Sequence, residues 1–135
     1  LSLRRQRQMC IRDRSGDGGV MLTERGSSFG YNNLVVDFRG LMAMRQMDIP
    51  VCFDATHSTQ HPGGRGDSSG GQSDMAPGLA RAAVATGIDA LFLEVHDQPS
   101  RAKSDASTQL KLDDVHTLLS TLLKIDQINR RPADV

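Results

Sequence analysis

Three short apolar runs, at residues 20–23, 50–54 and 91–95, alternate along this chain with three stretches of helical character. The runs VMLT, PVCFD and LFLEV are nearly continuous rather than alternating, as expected of strands covered on both faces. Residues 34–47 carry Leu34, Val35, Phe38, Leu41, Met42 and Arg45 close to a helical period. Residues 76–86 form a helix of small side chains that Gly87 stops. Leu112, Val115, Leu118, Leu119, Leu122, Leu123 and Ile125 mark one face of a final amphipathic helix. A β-α-β-α-β-α order of this kind predicts an α/β fold, with parallel strands packed under helices.

Three parallel strands cannot close on themselves. Two complete architectures fit the pattern: an open doubly wound sheet, or the last three βα units of a (β/α)8 TIM barrel. The polar residues lean toward the barrel, because each strand delivers an ionisable group at or just beyond its C-terminal end. Arg25 follows the first run, His57 the second, and Glu94 lies in the third. Barrel active sites occupy that face.

Composition excludes more than it assigns. The 135 residues hold 16 basic and 16 acidic side chains, so no global field points to nucleic acid or a membrane surface. No apolar run approaches the roughly 20 residues of a membrane helix. Cys10 and Cys52 lie in unrelated contexts and suggest no disulfide framework, so a cytoplasmic location is the expectation. The chain contains no Trp, which leaves little for base or sugar stacking.

Residues 1–14, LSLRRQRQMCIRDR, are strongly basic and without apolar period. A nucleic-acid arm or a transit-like peptide is one reading. The hexapeptide MCIRDR, however, resembles the in-frame translation of a sequencing-library adapter. Residues 1–14 are therefore expected to be an unstructured artefact, and residues 15–135 a partial catalytic barrel domain whose N-terminal half is missing.

His57, Glu94 and Asp105 form the strongest chemical cluster: one imidazole and two carboxylates, from adjacent strand ends and the loop that follows. Such a set suits a divalent transition ion, although each residue alone is as well explained by solvation or a salt bridge. Arg25, in a turn rich in Gly and Ser, suits a phosphate or carboxylate, or else a neighbouring acid on the surface. The segment HPGGRGDSSGGQSD, residues 61–74, reads as a mobile lid or a flexible connector. It lacks the Gly-Lys-Ser/Thr of a phosphate loop. Cys52, inside a strand, reads as a packed thiol, and Cys10 belongs to the adapter-like stretch; neither is expected to be a ligand.

Several ordered segments together resemble the 3-deoxy-D-manno-octulosonate 8-phosphate synthases: LTERGSSFGYNNLVVDFR, FDATHSTQHPGG, SGG, LFLEVH and AKSDASTQL. The resemblance implies the sixth, seventh and eighth units of a (β/α)8 barrel. It implies a transferase that joins C3 of phosphoenolpyruvate to the aldehyde of arabinose 5-phosphate while water attacks C2. Phosphate then leaves by C–O cleavage, in a route that feeds lipopolysaccharide synthesis. Carried over by position, Arg25 grips phosphoenolpyruvate, Gln60 lines the same pocket, and His57, Glu94 and Asp105 bind a divalent Fe, Mn or Zn ion. The family's fourth metal ligand, a cysteine, would lie in the missing half. The loop KSDASTQL and the PGG…SGG segment resemble the metal-dependent class. A homotetramer is implied for the full-length protein. The enzyme rival is a deoxyheptulosonate phosphate synthase acting on erythrose 4-phosphate. A non-catalytic anion-binding module, or an inactive truncated product, is the rival of another class.

Overall fold

The computed structural model describes residues 19–30, 33–62 and 70–130. The adapter-like residues 1–14 and the centre of the lid-like segment, residues 63–69, lie outside them. In chain order the strands and α-helices are β1 (Leu22–Glu24), β2 (Ser27–Phe29), β3 (Asn33–Val35), α1 (Phe38–Arg45), β4 (Val51–Asp54), β5 (Gln60–His61), β6 (Gly70–Gly71), α2 (Ala76–Ala85), β7 (Ala90–Phe92), β8 (Val95–His96), β9 (Leu110–Lys111) and α3 (Leu112–Arg130).

The sheet that organises these elements is parallel, in the order β1-β4-β7. Its register pairs Thr23 with Cys52 and Cys52 with Ala90, so all three strands end on one side. The central strand β4 is buried along its whole length. Side chains alternate across a strand. Val51, Phe53 and Ala55 accordingly join the apolar core with Leu41 of α1 and Ala80 of α2. Phe38 of α1 meets Phe53 with ring centroids 6.5 Å apart. Cys52 and Asp54 occupy the opposite face of the strand. Burial, and then the neighbouring Asp54 carboxylate, push the Cys52 thiol above its ordinary value of 9.0. A protonated, buried thiol is what a packing role requires.

Helix α2 is placed by its alanines. Ala76, Ala80 and Ala83 repeat near the helical period and are fully buried. Their small volume lets α3 approach and insert Leu118 and Leu122 into the same core. Asn129 of α3 then donates from Nδ2 to the Val84 carbonyl at 2.7 Å, a second bond to an acceptor that already takes the Gly87 amide at 2.9 Å, and ties α3 to the end of α2. No helix among the described residues is long and apolar enough to cross a membrane.

One expected helix is corrected. Residues 34–47 do not form a continuous helix: Leu34 and Val35 lie in β3, which pairs antiparallel with β2 as Ser27 to Val35 and Ser28 to Leu34. The turn expected around Arg25 is thus followed at once by β2, the first strand of a hairpin. The helix begins only at Phe38, where Asp37 accepts the Arg39 amide at 3.0 Å as an N-cap. β-Branched Val35 and Val36, just before that cap, favour extended backbone.

Candidate metal and anion site

The site begins with a turn. At the end of β4, Asp54 Oδ1 accepts the backbone amides of Thr56 at 3.1 Å and His57 at 2.9 Å. This Asx turn converts the strand into the short 3-10 helix His57–Thr59 and places the imidazole beside Phe92 at the end of β7. The second carboxylate oxygen, Oδ2, lies 2.7 Å from His57 Nδ1. The ring also stacks on Phe92, with centroids 5.7 Å apart. His57 is thereby held at its backbone, at one ring nitrogen and across its plane.

Glu94 lies two residues beyond the end of β7. Its backbone amide donates to the hydroxyl of the fully buried Thr56 at 2.7 Å, tying the ends of β4 and β7 together. Its carboxylate approaches His57 Nε2 at 3.2 Å. The other oxygen, Oε2, accepts from Gln109 Nε2 at 3.2 Å. Asp105 adopts a left-handed backbone, φ 52°, a strained conformation for a residue with a side chain. Thr108 N and Gln109 N both donate to its carbonyl, at 2.9 and 3.1 Å, and stabilise that bend.

One ligand atom from each of His57, Glu94 and Asp105 lies within 4.8 Å of the others. Ligands about 2.0–2.2 Å from a shared ion are at most about 4.4 Å apart, so a modest contraction would let them hold one. A nitrogen and two carboxylate oxygens form a donor set that Fe, Mn and Zn accept. The cluster is compatible with a divalent metal ion.

Arg25, just beyond β1, reaches the same end of the sheet. Its Nη2 donates to Gln60 Oε1 at 2.8 Å, and Gln60 Nε2 donates to Asp105 Oδ1 at 2.6 Å. The buried Gln60 amide therefore connects the guanidinium to the carboxylate cluster. Arg25 itself is exposed, and among the described residues its fork makes this one hydrogen bond. The five residues named from the sequence come together here. Asp54, Thr56 and Gln109 were not among them, although an aspartate three residues before a histidine at a strand end is a visible signal for the first.

The loop carrying Asp105 is pinned by Gly71. A Cβ at that position would come 2.1 Å from Thr108 Cγ2 and 3.3 Å from the Thr59 carbonyl. Thr108 is fully buried and has no room to retreat. Gly71→Ala is expected to cost about 1–3 kcal/mol through overpacking. Gly70→Ala meets only His61 Cβ at 3.8 Å and should melt near the parent. Thermal melts of both variants check this; equal midpoints would remove Gly71 from the account.

Residues 7–130 match the family model of the DAHP synthetase I family. The chain belongs to this family. It is 57% identical over 113 residues to a 2-dehydro-3-deoxyphosphooctonate aldolase of Cyanothece sp., covering 84% of this chain and 41% of that relative. Relatives of the same name are 57% identical over 114 residues in Geobacter metallireducens and 53% over 117 residues in Xanthomonas oryzae pv. oryzae. These alignments cover 84% and 87% of this chain, and 42% of each relative. The chain thus spans about two fifths of the length of the curated relatives it matches. A solved phospho-2-dehydro-3-deoxyheptonate aldolase of Thermotoga maritima superposes with TM-score 0.66 at 24% identity, over 81% of this chain and 30% of that one. That likeness concerns the fold: the parallel strands β1, β4 and β7 with their helices are part of a TIM barrel.

Proposed function

We propose that this chain is the C-terminal portion of a 3-deoxy-D-manno-octulosonate 8-phosphate synthase. The observation that carries the reading is the 53–57% identity to relatives named 2-dehydro-3-deoxyphosphooctonate aldolase, over most of this chain. The substrates are phosphoenolpyruvate and arabinose 5-phosphate. C3 of phosphoenolpyruvate bonds to the aldehyde carbon, water adds at C2, and phosphate departs by C–O cleavage.

Arg25 binds an anionic group of phosphoenolpyruvate with its exposed fork, while the Gln60 carbonyl oxygen fixes the guanidinium plane. Gln60 also holds Asp105, so the anion clamp and the carboxylate cluster keep one spacing. His57, Glu94 and Asp105 would hold a divalent Fe, Mn or Zn ion, which supplies Lewis-acid charge when bound. A cytoplasmic homotetramer is part of the same proposal. So is the division into an adapter-derived stretch, residues 1–14, and a barrel segment, residues 15–135. The family match begins at residue 7, inside that stretch. Independent reads of the source DNA decide the division: recovery of residues 1–14 in them would refute the adapter origin.

The rival substrate is erythrose 4-phosphate, as in a deoxyheptulosonate phosphate synthase. The loop KSDASTQL, which carries Asp105, favours the octulosonate enzyme. The test is phosphate release by a full-length form, recovered by extending the reading frame in the source DNA. It is expected to turn over arabinose 5-phosphate in preference to erythrose 4-phosphate. The opposite preference would transfer the chain to the heptulosonate enzyme, and activity with neither would leave a non-catalytic reading.

A further inference from the structure

We infer that Asp54 is a positioning residue that sets the tautomer of His57, keeping the proton on Nδ1 so that the Nε2 lone pair faces Glu94 and Asp105. The inference rests on the metal-site reading above and adds to it a residue that touches neither ion nor substrate. Three hydrogen bonds carry it. Asp54 Oδ1 accepts the Thr56 and His57 amides, and Oδ2 faces His57 Nδ1 at 2.7 Å. Asp54 is itself buried, at 6% exposure, so solvent cannot substitute for the carboxylate.

A carboxylate only accepts, and a neutral imidazole has one donor and one acceptor nitrogen. Carboxylate oxygens face both ring nitrogens, but the buried Asp54 contact at 2.7 Å is shorter than the 3.2 Å contact of Nε2 with Glu94 Oε1, so the neutral ring places its proton on Nδ1 and Nε2 is left as the acceptor. Nε2 is the nitrogen on the Glu94 side, 3.2 Å from Oε1. A histidine donates one nitrogen to a metal while the hydrogen bond on the other sets the tautomer and raises ligand basicity. The stacked Phe92 ring opposes a ring flip that would exchange the two nitrogens.

The isosteric variant Asp54→Asn separates this role from mere support. The turn needs an acceptor for two backbone amides, so the Asn oxygen is drawn to the Oδ1 position. Its NH2 then points at His57 Nδ1 and donates to it, which drives the ring proton to Nε2. The reverse orientation would set NH2 against two N–H donors. One side chain of the same shape thus keeps the turn and reverses the tautomer.

The test uses the 15N-histidine-labelled full-length form, parent and Asp54→Asn, with His57→Gln to assign the resonance. Long-range 1H–15N correlations at a pH where the ring is neutral report its tautomer, and calorimetric titration with Zn2+ or Mn2+ reports affinity. The expected result is Nδ1–H in the parent, Nε2–H in the variant, and metal affinity lower by about 10–100-fold in the variant. A parent ring protonated at Nε2 would overturn the inference without any variant. So would a variant that binds metal as tightly as the parent. If the tautomer reverses as stated but the parent takes up no metal, the tautomer assignment stands and the metal-site reading is lost.

Discussion

Replacing His57 by alanine in the full-length form is expected to remove metal uptake and to lower phosphate release about a thousandfold or more. The variant deletes the only nitrogen among the three clustered donors and leaves Glu94 and Asp105 to share a cation without it. Charge stabilisation by a bound metal is worth several kcal/mol at the transition state. Each 1.36 kcal/mol is a factor of ten in rate, which sets the expected scale. The fold should survive. Asp54 Oδ1 still accepts the two turn amides, and the ring is half-buried rather than part of the apolar core. Metal content by mass spectrometry, melting temperature and phosphate release give the three readouts. His116→Ala, on the exposed face of α3, serves as the control and should match the parent. Activity retained in His57→Ala, together with indifference to a strong chelator, would end the metal-dependent reading. Chelator indifference alone would leave the synthase proposal in place.

What was legible in the sequence follows the range of the interactions involved. The strands at residues 51–54 and 90–92 could be read because their apolar residues run consecutively, and β4, the central one, is buried along its whole length. The approach of Arg25, His57 and Glu94 to one end of the sheet then follows from parallel order alone. The hairpin of β2 and β3 was not legible. Leu34, Val35, Phe38 and Leu41 mimic a helical period, and only the Asp37 cap marks the true start. Asp54 was hidden for a different reason. It closes an apolar strand and looks like a boundary residue, whereas its role depends on where the next three residues turn. Gln109 and Gly71 act through contacts with Glu94 and Thr108 that no local pattern encodes. The left-handed backbone of Asp105 likewise depends on the loop being pinned from both sides.

Arg25→Ala should produce the second large loss, and one of a different kind. The guanidinium donates to Gln60 with one nitrogen and has the remainder of its fork exposed beside the carboxylate cluster. A hydrogen bond to a charged group contributes about 1.5–3 kcal/mol, and a bidentate grip on an anion uses two. The expected fall in kcat/KM for phosphoenolpyruvate is therefore about 10²–10⁴-fold. Arg25→Lys should fall between variant and parent, since it keeps the charge but not the planar fork. Metal content should not change in either variant, because Gln60 retains its bond to Asp105 when Arg25 is gone. That separates the clamp from the metal cluster, where His57→Ala loses both. Steady-state kinetics with phosphoenolpyruvate varied at saturating arabinose 5-phosphate makes the measurement. An Arg25→Ala enzyme with the parent kcat/KM would show that the guanidinium at the end of β1 is a surface charge that Gln60 happens to meet, and the anion would then have to bind elsewhere.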